Sequence, residues 1–117
     1  MVCSCDLYED TWLPFFKILK EQWKDRPYDI ILNTESKTFD YEDMNIKTLN
    51  LYKADKNIPW GKCLIDTLNR IDTKYVLIIL DDFFLTEKVD QKRIEQCIEW
   101  LENRKWNSLG IQFSDKQ

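Results

Sequence analysis

The feature that most constrains the fold is the stretch YVLIILDDFFLT at residues 75–86, where a run of β-forming apolar residues ends in two aspartates. A strand that is apolar at every position has no solvent face, so Tyr75 to Leu80 predicts a central parallel strand covered on both sides. Asp81 and Asp82 then lie at its carboxyl end, where open α/β sheets bind ligands. Because adjacent carboxylates repel each other, the pair predicts a divalent-metal site. The simpler alternative is that both residues end the strand and accept hydrogen bonds in a turn or helix cap.

Composition indicates one packed domain spanning residues 1–117, because 44% of the residues are hydrophobic and 14% are aromatic. The net charge is −4 with both signs interleaved, so the chain lacks the cationic face that nucleic acids require. No apolar run is long enough to span a membrane, and the N-terminus lacks a signal-peptide pattern. We therefore expect a cytoplasmic protein with no nucleic-acid partner and no transmembrane segment.

The chain contains four cysteines and no histidine. Cys3 and Cys5 are too close for an ordinary disulfide, and Cys63 and Cys97 fall on apolar helix faces, so we expect reduced thiols in or near the core. A zinc site is disfavoured because no CxxC pair exists. Without histidine there is no His-based triad or general base, and oxygen ligands would favour Mg²⁺ or Mn²⁺.

Hydrophobic periodicity predicts five strands and three helices. The strands are expected at residues 1–6, 28–32, 46–52, 75–80 and 108–113. The helices are expected at about residues 10–24, 58–71 and 90–103, and a polar surface loop at 36–45. This order predicts an α/β three-layer sandwich, with a mainly parallel, Rossmann-like central sheet and helices on both faces.

Two of the helices have apolar residues at the spacing of one buried face. In the first helix these residues are Trp12, Phe15, Phe16, Leu19 and Trp23. In the second they are Trp60, Leu64, Ile65, Leu68 and Ile71. Polar residues follow three of the strands, at Asp6, at Asn33 to Glu35 and at the aspartate pair. The topology therefore predicts a common crevice at one edge of the sheet.

The order of elements and the run VLIILDDFFL resemble the nucleotide-binding half of a GT-A fold glycosyltransferase, in which the strand before the metal site carries a DxD-type motif. The segments SCDLYEDTWLPFFKIL and YDIILNTES are similar to bacterial glycosyltransferases of capsular or cell-surface polysaccharide synthesis. The resemblance covers most of the chain, which has the contracted motif Leu80, Asp81, Asp82. It implies binding of a nucleotide sugar, with a UDP-sugar as the expected donor, for transfer to a glycan acceptor.

The resemblance also implies roles for individual residues. Asp82 would hold a Mn²⁺ or Mg²⁺ ion on the donor diphosphate, and Asp81 would reach the ribose or the metal. The residues implied to hold the nucleoside are Ser4, Cys5, Asp6, Asn33, Thr34 and Glu35. The residues implied to abut the base and ribose from a helix start are Trp60, Gly61 and Lys62. The alternatives are a core anchor for Trp60 and a solvated side chain for Lys62.

Members of this family continue past the predicted strand at residues 108–113 with the acceptor site. We therefore expect a domain truncated at its C-terminus, and whether it is an enzyme stays open. The alternative is a non-catalytic nucleotide-binding or self-associating module that pairs with another copy through an exposed sheet edge. A third class, the phosphotransfer folds with paired aspartates, places those acids after the first strand, whereas this pair follows the fourth.

Overall fold

A two-residue strand, β1 (Val2–Cys3), has parallel partners on both sides and lies inside the sheet. The other strands are β2 (Ile31–Asn33), β3 (Lys47–Leu49) and β4 (Ile79–Leu80). All pairs are parallel, and the order across the sheet is β3-β2-β1-β4. The structure is a computed structural model that describes residues 1–51 and 57–111. It has the all-parallel arrangement of a Rossmann-like α/β domain, which confirms the predicted fold at this level.

Three α-helices lie close to their predicted positions. They are α1 (Glu9–Gln22), α2 (Trp60–Leu68) and α3 (Gln91–Arg104). A short 3₁₀ turn, Asp6–Tyr8, leads from β1 into α1. Asp90 caps α3, because its side chain accepts hydrogen bonds from the backbone N–H groups of Lys92 and Arg93. None of the helices within the described ranges is long and apolar enough to cross a membrane.

The main core lies between α1 and one face of the sheet. Because side chains alternate along a strand, β1, β2 and β4 present Val2, Leu32 and Ile79 on this face, in register with one another. The buried members of this core are Val2, Trp12, Phe15, Phe16, Leu19, Trp23, Ile30, Leu32, Met44 and Ile46. The predicted aromatic face of the first helix is therefore confirmed, and its burial is the main apolar contribution to stability.

The loop predicted at residues 36–45 contains no helix or strand, as expected. Its apolar residues nevertheless pack inward, since Met44 is buried and Phe39 and Tyr41 lie against the main core. The Phe39 ring stacks on Phe16, with 5.6 Å between the ring centroids. The loop is therefore part of the cover over the core rather than a surface excursion.

The predicted buried face of the second helix is only partly correct. The side chains of Trp60 and Ile65 are 63% and 60% exposed, and Thr67 is the buried residue of α2. The Thr67 hydroxyl donates to the Cys63 carbonyl at 2.7 Å, which satisfies it inside the helix. No residue of α2 belongs to the main core. The periodicity of the apolar residues in α2 therefore did not show how much of their shared face is covered by other parts of the protein.

The strands are shorter than their apolar runs suggested. In the sheet formed by the described residues β4 lies at the edge and not in the centre, and Ile78 and Leu80 are 44% and 40% exposed. An apolar run alone does not distinguish a fully covered strand from an edge strand with one open face. Of the predicted last strand, residues 108–111 are not in a strand, and residues 112 and 113 lie outside the described ranges.

Candidate functional site

The candidate site lies where the strand order reverses. The chain adds β2 and β3 on one side of β1 and then places β4 on the other side, so the switch point falls between β1 and β4. Ligands bind at this position in open α/β sheets, because the loops leave the two strands in opposite directions. Ser4 follows β1 and Asp81 follows β4, and the Asp81 N–H donates to the Cys3 carbonyl at 3.3 Å. The two polar residues therefore lie side by side at the carboxyl edge.

A chain of two hydrogen bonds joins Asp81 to the core. The Trp12 indole Nε1 donates to Ser4 Oγ at 2.7 Å, and Ser4 Oγ in turn donates to Asp81 Oδ2. Trp12 is only 1% exposed, while Asp81 is half-buried. The carboxylate is thus held on one oxygen by a side chain that is itself tied to the interior.

Asp82 is exposed, and no hydrogen bond or ion pair holds it in the described part of the chain. The Phe83 N–H donates to the Leu80 carbonyl at 3.2 Å, which places both aspartates at the centre of a tight turn. The Phe84 ring lies 6.1 Å from that of Phe15, so the residue beyond the turn is anchored on α1. The two aspartates therefore end the strand in a turn, as the simpler alternative predicted. The same turn exposes the Asp82 side chain to solvent.

A second cluster of polar groups joins the loops after β1 and β2. The Asp6 carboxylate accepts hydrogen bonds from the Ser36 N–H at 3.1 Å, the Lys37 N–H at 3.0 Å and the Ser36 hydroxyl. The Asp6 N–H donates to Glu35 Oε2 at 2.5 Å. Lys37 Nζ also pairs with Glu9 Oε1 at 2.5 Å. We call the cluster of Asp6, Glu35, Ser36 and Lys37 the β1–β2 clamp.

The β1–β2 clamp lowers the pKa of Asp6. Burial by itself raises the pKa of this carboxyl, but the hydrogen bonds from the Ser36 hydroxyl and from the N–H groups of Lys37 and Ser36 lower it more strongly. The resulting pKa is about 2, against an ordinary value of 3.8. Asp6 is therefore ionised at neutral pH, and its oxygens are engaged with the protein's own donors.

Two of the predicted nucleoside residues, Asn33 at the end of β2 and Thr34 directly after it, also form internal hydrogen bonds. The Asn33 carbonyl accepts from the Ser4 N–H at 3.1 Å. The Thr34 hydroxyl donates to the Lys37 carbonyl and accepts from Asn50 Nδ2, both at 2.6 Å. Ser36, Lys37 and Asn50 were not among the predicted site residues, because nothing in a polar loop sequence shows which distant carbonyl or carboxylate its groups will meet.

Both cysteines near the site are free thiols, as are the two on the helices, in agreement with the prediction. Burial raises the pKa of Cys5, although hydrogen bonds from the N–H groups of Leu7 and Tyr8 lower it in part. Burial raises the pKa of Cys3 as well, with the Asp81 carboxylate adding to the effect. Because the thiolate is the nucleophilic form, the raised pKa values disfavour a nucleophilic role for either cysteine.

The start of α2 carries the three remaining predicted residues. Trp60 is exposed, which excludes the alternative of a core anchor, and Gly61 has open space around its Cα. Lys62 Nζ forms an ion pair with Asp66 Oδ2 at 2.9 Å. Among the described residues no hydrogen bond joins these three to Asp81 or Asp82. Of the predicted site residues, the structure joins Ser4 to Asp81 and Asp6 to Glu35 by hydrogen bonds, whereas Trp60, Gly61 and Lys62 are not joined to either pair in the described part of the chain.

Residues 1–51 and 57–111 contain no group of three or more Asp, Glu, Cys or His side chains that converges as a metal site. Mg²⁺ is commonly held by one or two carboxylates together with substrate phosphates, so two adjacent aspartates are compatible with a site completed by a ligand. A surface depression of about 460 Å³ lies beside α3 and is lined by Asp90, Lys92, Arg93, Glu95, Gln96 and Glu99. It does not include the aspartate pair, and polar and charged side chains line it, whereas typical ligand pockets are mostly apolar.

Comparisons with protein-family models, with curated proteins and with solved structures found no match to this chain.

Proposed function

We propose that this domain binds a nucleotide sugar through a divalent cation, as the nucleotide-binding half of a GT-A fold glycosyltransferase for polysaccharide or glycan synthesis. Asp82 ligates Mn²⁺ or Mg²⁺, Asp81 adds an oxygen to the metal or to the ribose, and a UDP-sugar is the donor. The fold in this proposal is a three-layer sandwich, and a glycan is the acceptor.

The observation that carries the proposal is the position of the aspartate pair at the switch point between β1 and β4. A carboxylate is bonded there to the residue that follows β1, and its neighbour points into solvent. Ligand sites of open parallel sheets lie in this crevice, whichever reaction the protein catalyses. The assignment to sugar transfer rests on the resemblance of the VLIILDDFFL segment and is part of the proposal.

The chemistry of the pair also supports a cation. Two adjacent carboxylates in one turn repel each other, and a divalent cation removes that repulsion. The bound cation would neutralise the diphosphate and stabilise the negative charge on the departing nucleoside diphosphate. Phosphate oxygens would complete its coordination, because the described residues supply only the pair.

The other predicted residues divide into two groups under this proposal. Exposed Trp60 offers an aromatic face for the base, and Gly61 leaves room for close approach. Asp6 and Thr34 act indirectly, since their polar atoms hold the segments that contain Ser4, Cys5, Asn33 and Glu35. The four free cysteines suit a reducing compartment, so the proposed location is the cytoplasm.

Calorimetric titration of the protein with MnCl₂ and UDP tests this function, with thermal unfolding as a second readout. Ligand at about 100 times its dissociation constant should stabilise the fold by about 2.7 kcal/mol. Asp82→Ala should weaken binding about 10- to 100-fold, at least as much as loss of an outer partner of a metal ligand. Asp72→Ala, the same change at an exposed aspartate before β4, should bind like the wild type.

Two outcomes of this titration would contradict the proposal. The first is no response of the wild-type protein to Mn²⁺ with UDP. The second is equal binding by Asp82→Ala and wild type.

A self-associating module is the second candidate, and the edge position of β4 favours it. Ile78 and Leu80 are half-exposed there, and an apolar edge strand is a template for pairing with another chain. Sedimentation velocity over a concentration series separates the two candidates. Under the first candidate the protein stays monomeric, whereas under the second the sedimentation coefficient rises with concentration and Ile78→Lys restores the monomer.

A further inference from the structure

We propose that Trp12 is a positioning residue for the cation site, acting through Ser4 on the Asp81 carboxylate. The inference rests on the proposed function, because it assumes that a cation binds the aspartate pair. Its structural basis is the two-bond chain from Trp12 Nε1 to Ser4 Oγ at 2.7 Å and from Ser4 Oγ to Asp81 Oδ2. Of the three residues joined by these hydrogen bonds, the sequence indicated a functional role for Ser4 and Asp81 but not for Trp12.

The direction of the two bonds follows from the chemistry of the groups. An indole N–H can only donate, so Ser4 Oγ must accept from Trp12. The hydroxyl then has one proton left to donate, and a carboxylate oxygen is an acceptor. The Cys5 carbonyl is the competing acceptor, but it lies 3.4 Å from Ser4 Oγ and is the weaker partner. Trp12 therefore orients the Ser4 proton toward Asp81.

The second oxygen of Asp81 remains available to a cation. Oδ2 takes the Ser4 hydrogen bond, and Oδ1 has no hydrogen-bond partner within residues 1–51 and 57–111. A carboxylate held at one oxygen loses rotational freedom before the ligand arrives, so less entropy is lost on binding. Outer partners of this kind orient the ligands of metal sites, and their loss usually reduces metal affinity about 10- to 100-fold.

The anchor at the other end of this chain is rigid. Trp12 is 1% exposed on α1 and belongs to the main core, and its ring centroid lies 5.9 Å from that of Phe39, which packs against this core. A buried indole N–H needs an acceptor, and Ser4 Oγ provides it. The orientation of the Asp81 carboxylate is therefore connected, through Ser4, to the packing of α1 on the sheet.

Trp23 provides a matched control for every measurement on Trp12. It belongs to the same core at the C-terminal end of α1, is 8% exposed, and also donates its indole N–H to a side-chain oxygen, Gln91 Oε1, at 3.0 Å. Its partner is at the start of α3 and not at the switch point. The change Trp→Phe at either position removes one indole donor and a similar volume from the core.

The test is a double-mutant cycle on the affinity for Mg²⁺ with UDP, using the whole chain. Trp12→Phe and Ser4→Ala should each weaken binding about 10-fold, and the double variant should bind no more weakly than either single variant, because both break the same chain of hydrogen bonds. Trp23→Phe should bind within about 2-fold of the wild type. In ¹H–¹⁵N spectra, the Trp12 indole signal should shift when Mg²⁺ and UDP bind, whereas the Trp23 signal should not move.

Several results would overturn the inference. Additive losses in the double variant would mean that Ser4 and Trp12 act separately. Equal losses of affinity in Trp12→Phe and Trp23→Phe would show that any disturbance of the core weakens binding, and not the loss of the Trp12 hydrogen bond in particular. If Trp12→Phe does not fold, the indole signal of the wild type decides, and a Trp12 signal unmoved by Mg²⁺ and UDP rejects the role. A wild-type protein that binds no Mg²⁺ with UDP removes the proposed function and this inference together, whereas binding with additive losses removes only the inference.

Discussion

Aspartates lie on both sides of β1, but they have different surroundings. Toward β2, the Asp6 carboxylate is engaged on both oxygens by donors from Ser36 and Lys37, which makes the β1–β2 clamp. Toward β4, Asp81 has one engaged oxygen and Asp82 has none among the described residues. All three carboxylates follow the carboxyl ends of parallel strands, so strand position alone does not determine their role.

The difference lies in the supply of donors near each acid. The loop after β2 offers two backbone N–H groups and a hydroxyl to Asp6, and these donors satisfy it without a ligand. The turn after β4 offers its N–H groups to strand carbonyls instead, as in the bonds from Asp81 to Cys3 and from Phe83 to Leu80. A carboxylate with an oxygen that no internal donor engages, as in Asp81 and Asp82, can bind a cation, whereas the Asp6 carboxylate, engaged on both oxygens, holds the two loops together.

The largest expected effect that separates the two sides is on stability. Asp6→Ala removes the acceptor of three hydrogen bonds and should lower the free energy of unfolding by about 2 kcal/mol, since part of the loss is recovered by hydration at this partly exposed site. Asp82→Ala should change it by about 0.5 kcal/mol or less. Urea unfolding of both variants measures the contrast, and equal losses would show that the distinction between the two sides is incorrect.

Acid should weaken the β1–β2 clamp in a defined range. The pKa of Asp6 is lower in the folded state, about 2, than its ordinary value of 3.8, so its stabilisation is present above the unfolded value and is lost as the pH falls through the folded one. The stability difference between wild type and Asp6→Asn should therefore shrink between about pH 4 and about pH 2. Urea unfolding at a series of pH values measures it; a difference that stays constant over that range would contradict the role of the Asp6 charge.

The smallest expected effect concerns the ion pair at the outer end of the β1–β2 clamp. Lys37 and Glu9 form a pair at 2.5 Å, but both side chains are about half exposed. Glu9→Gln should lower stability by about 0.5 kcal/mol or less, and about 1 M NaCl should remove most of the difference. A large or salt-independent loss in thermal unfolding would place more of the clamp's stability in this pair than in Asp6.

Much of the fold could be predicted from local patterns. The three-and-four spacing of aromatic residues located α1 and its buried face, since side chains with that spacing lie on one side of a helix. The apolar runs located β1 to β4, although they overestimated strand length and the centrality of β4, and residues 108–111 of the predicted last strand are not in a strand. The same periodicity failed for Trp60 and Ile65, because it shows that residues share a face but not whether another element covers it.

The candidate site was predictable only in outline. Polar residues at the ends of apolar runs indicated Asp6, Asn33 to Glu35, Asp81 and Asp82, because parallel strands bring their carboxyl ends to one edge. Ser4 was indicated by the resemblance alone. The partners of those residues were not predictable. Trp12 had every sign of a simple core residue, and its indole bond to Ser4 depends on the angle at which α1 packs on the sheet.

The sequence by itself determined a parallel α/β arrangement with acids at the strand ends, because side-chain periodicity and abrupt polar endings are local properties of the chain. Only the tertiary structure decided that Asp6 is held by the loop after β2 while Asp81 meets Ser4, 77 positions away in the chain. The lateral order of strands and the docking of α1 arise from packing between distant segments. Those contacts determine which acid is satisfied internally and which is left for a ligand.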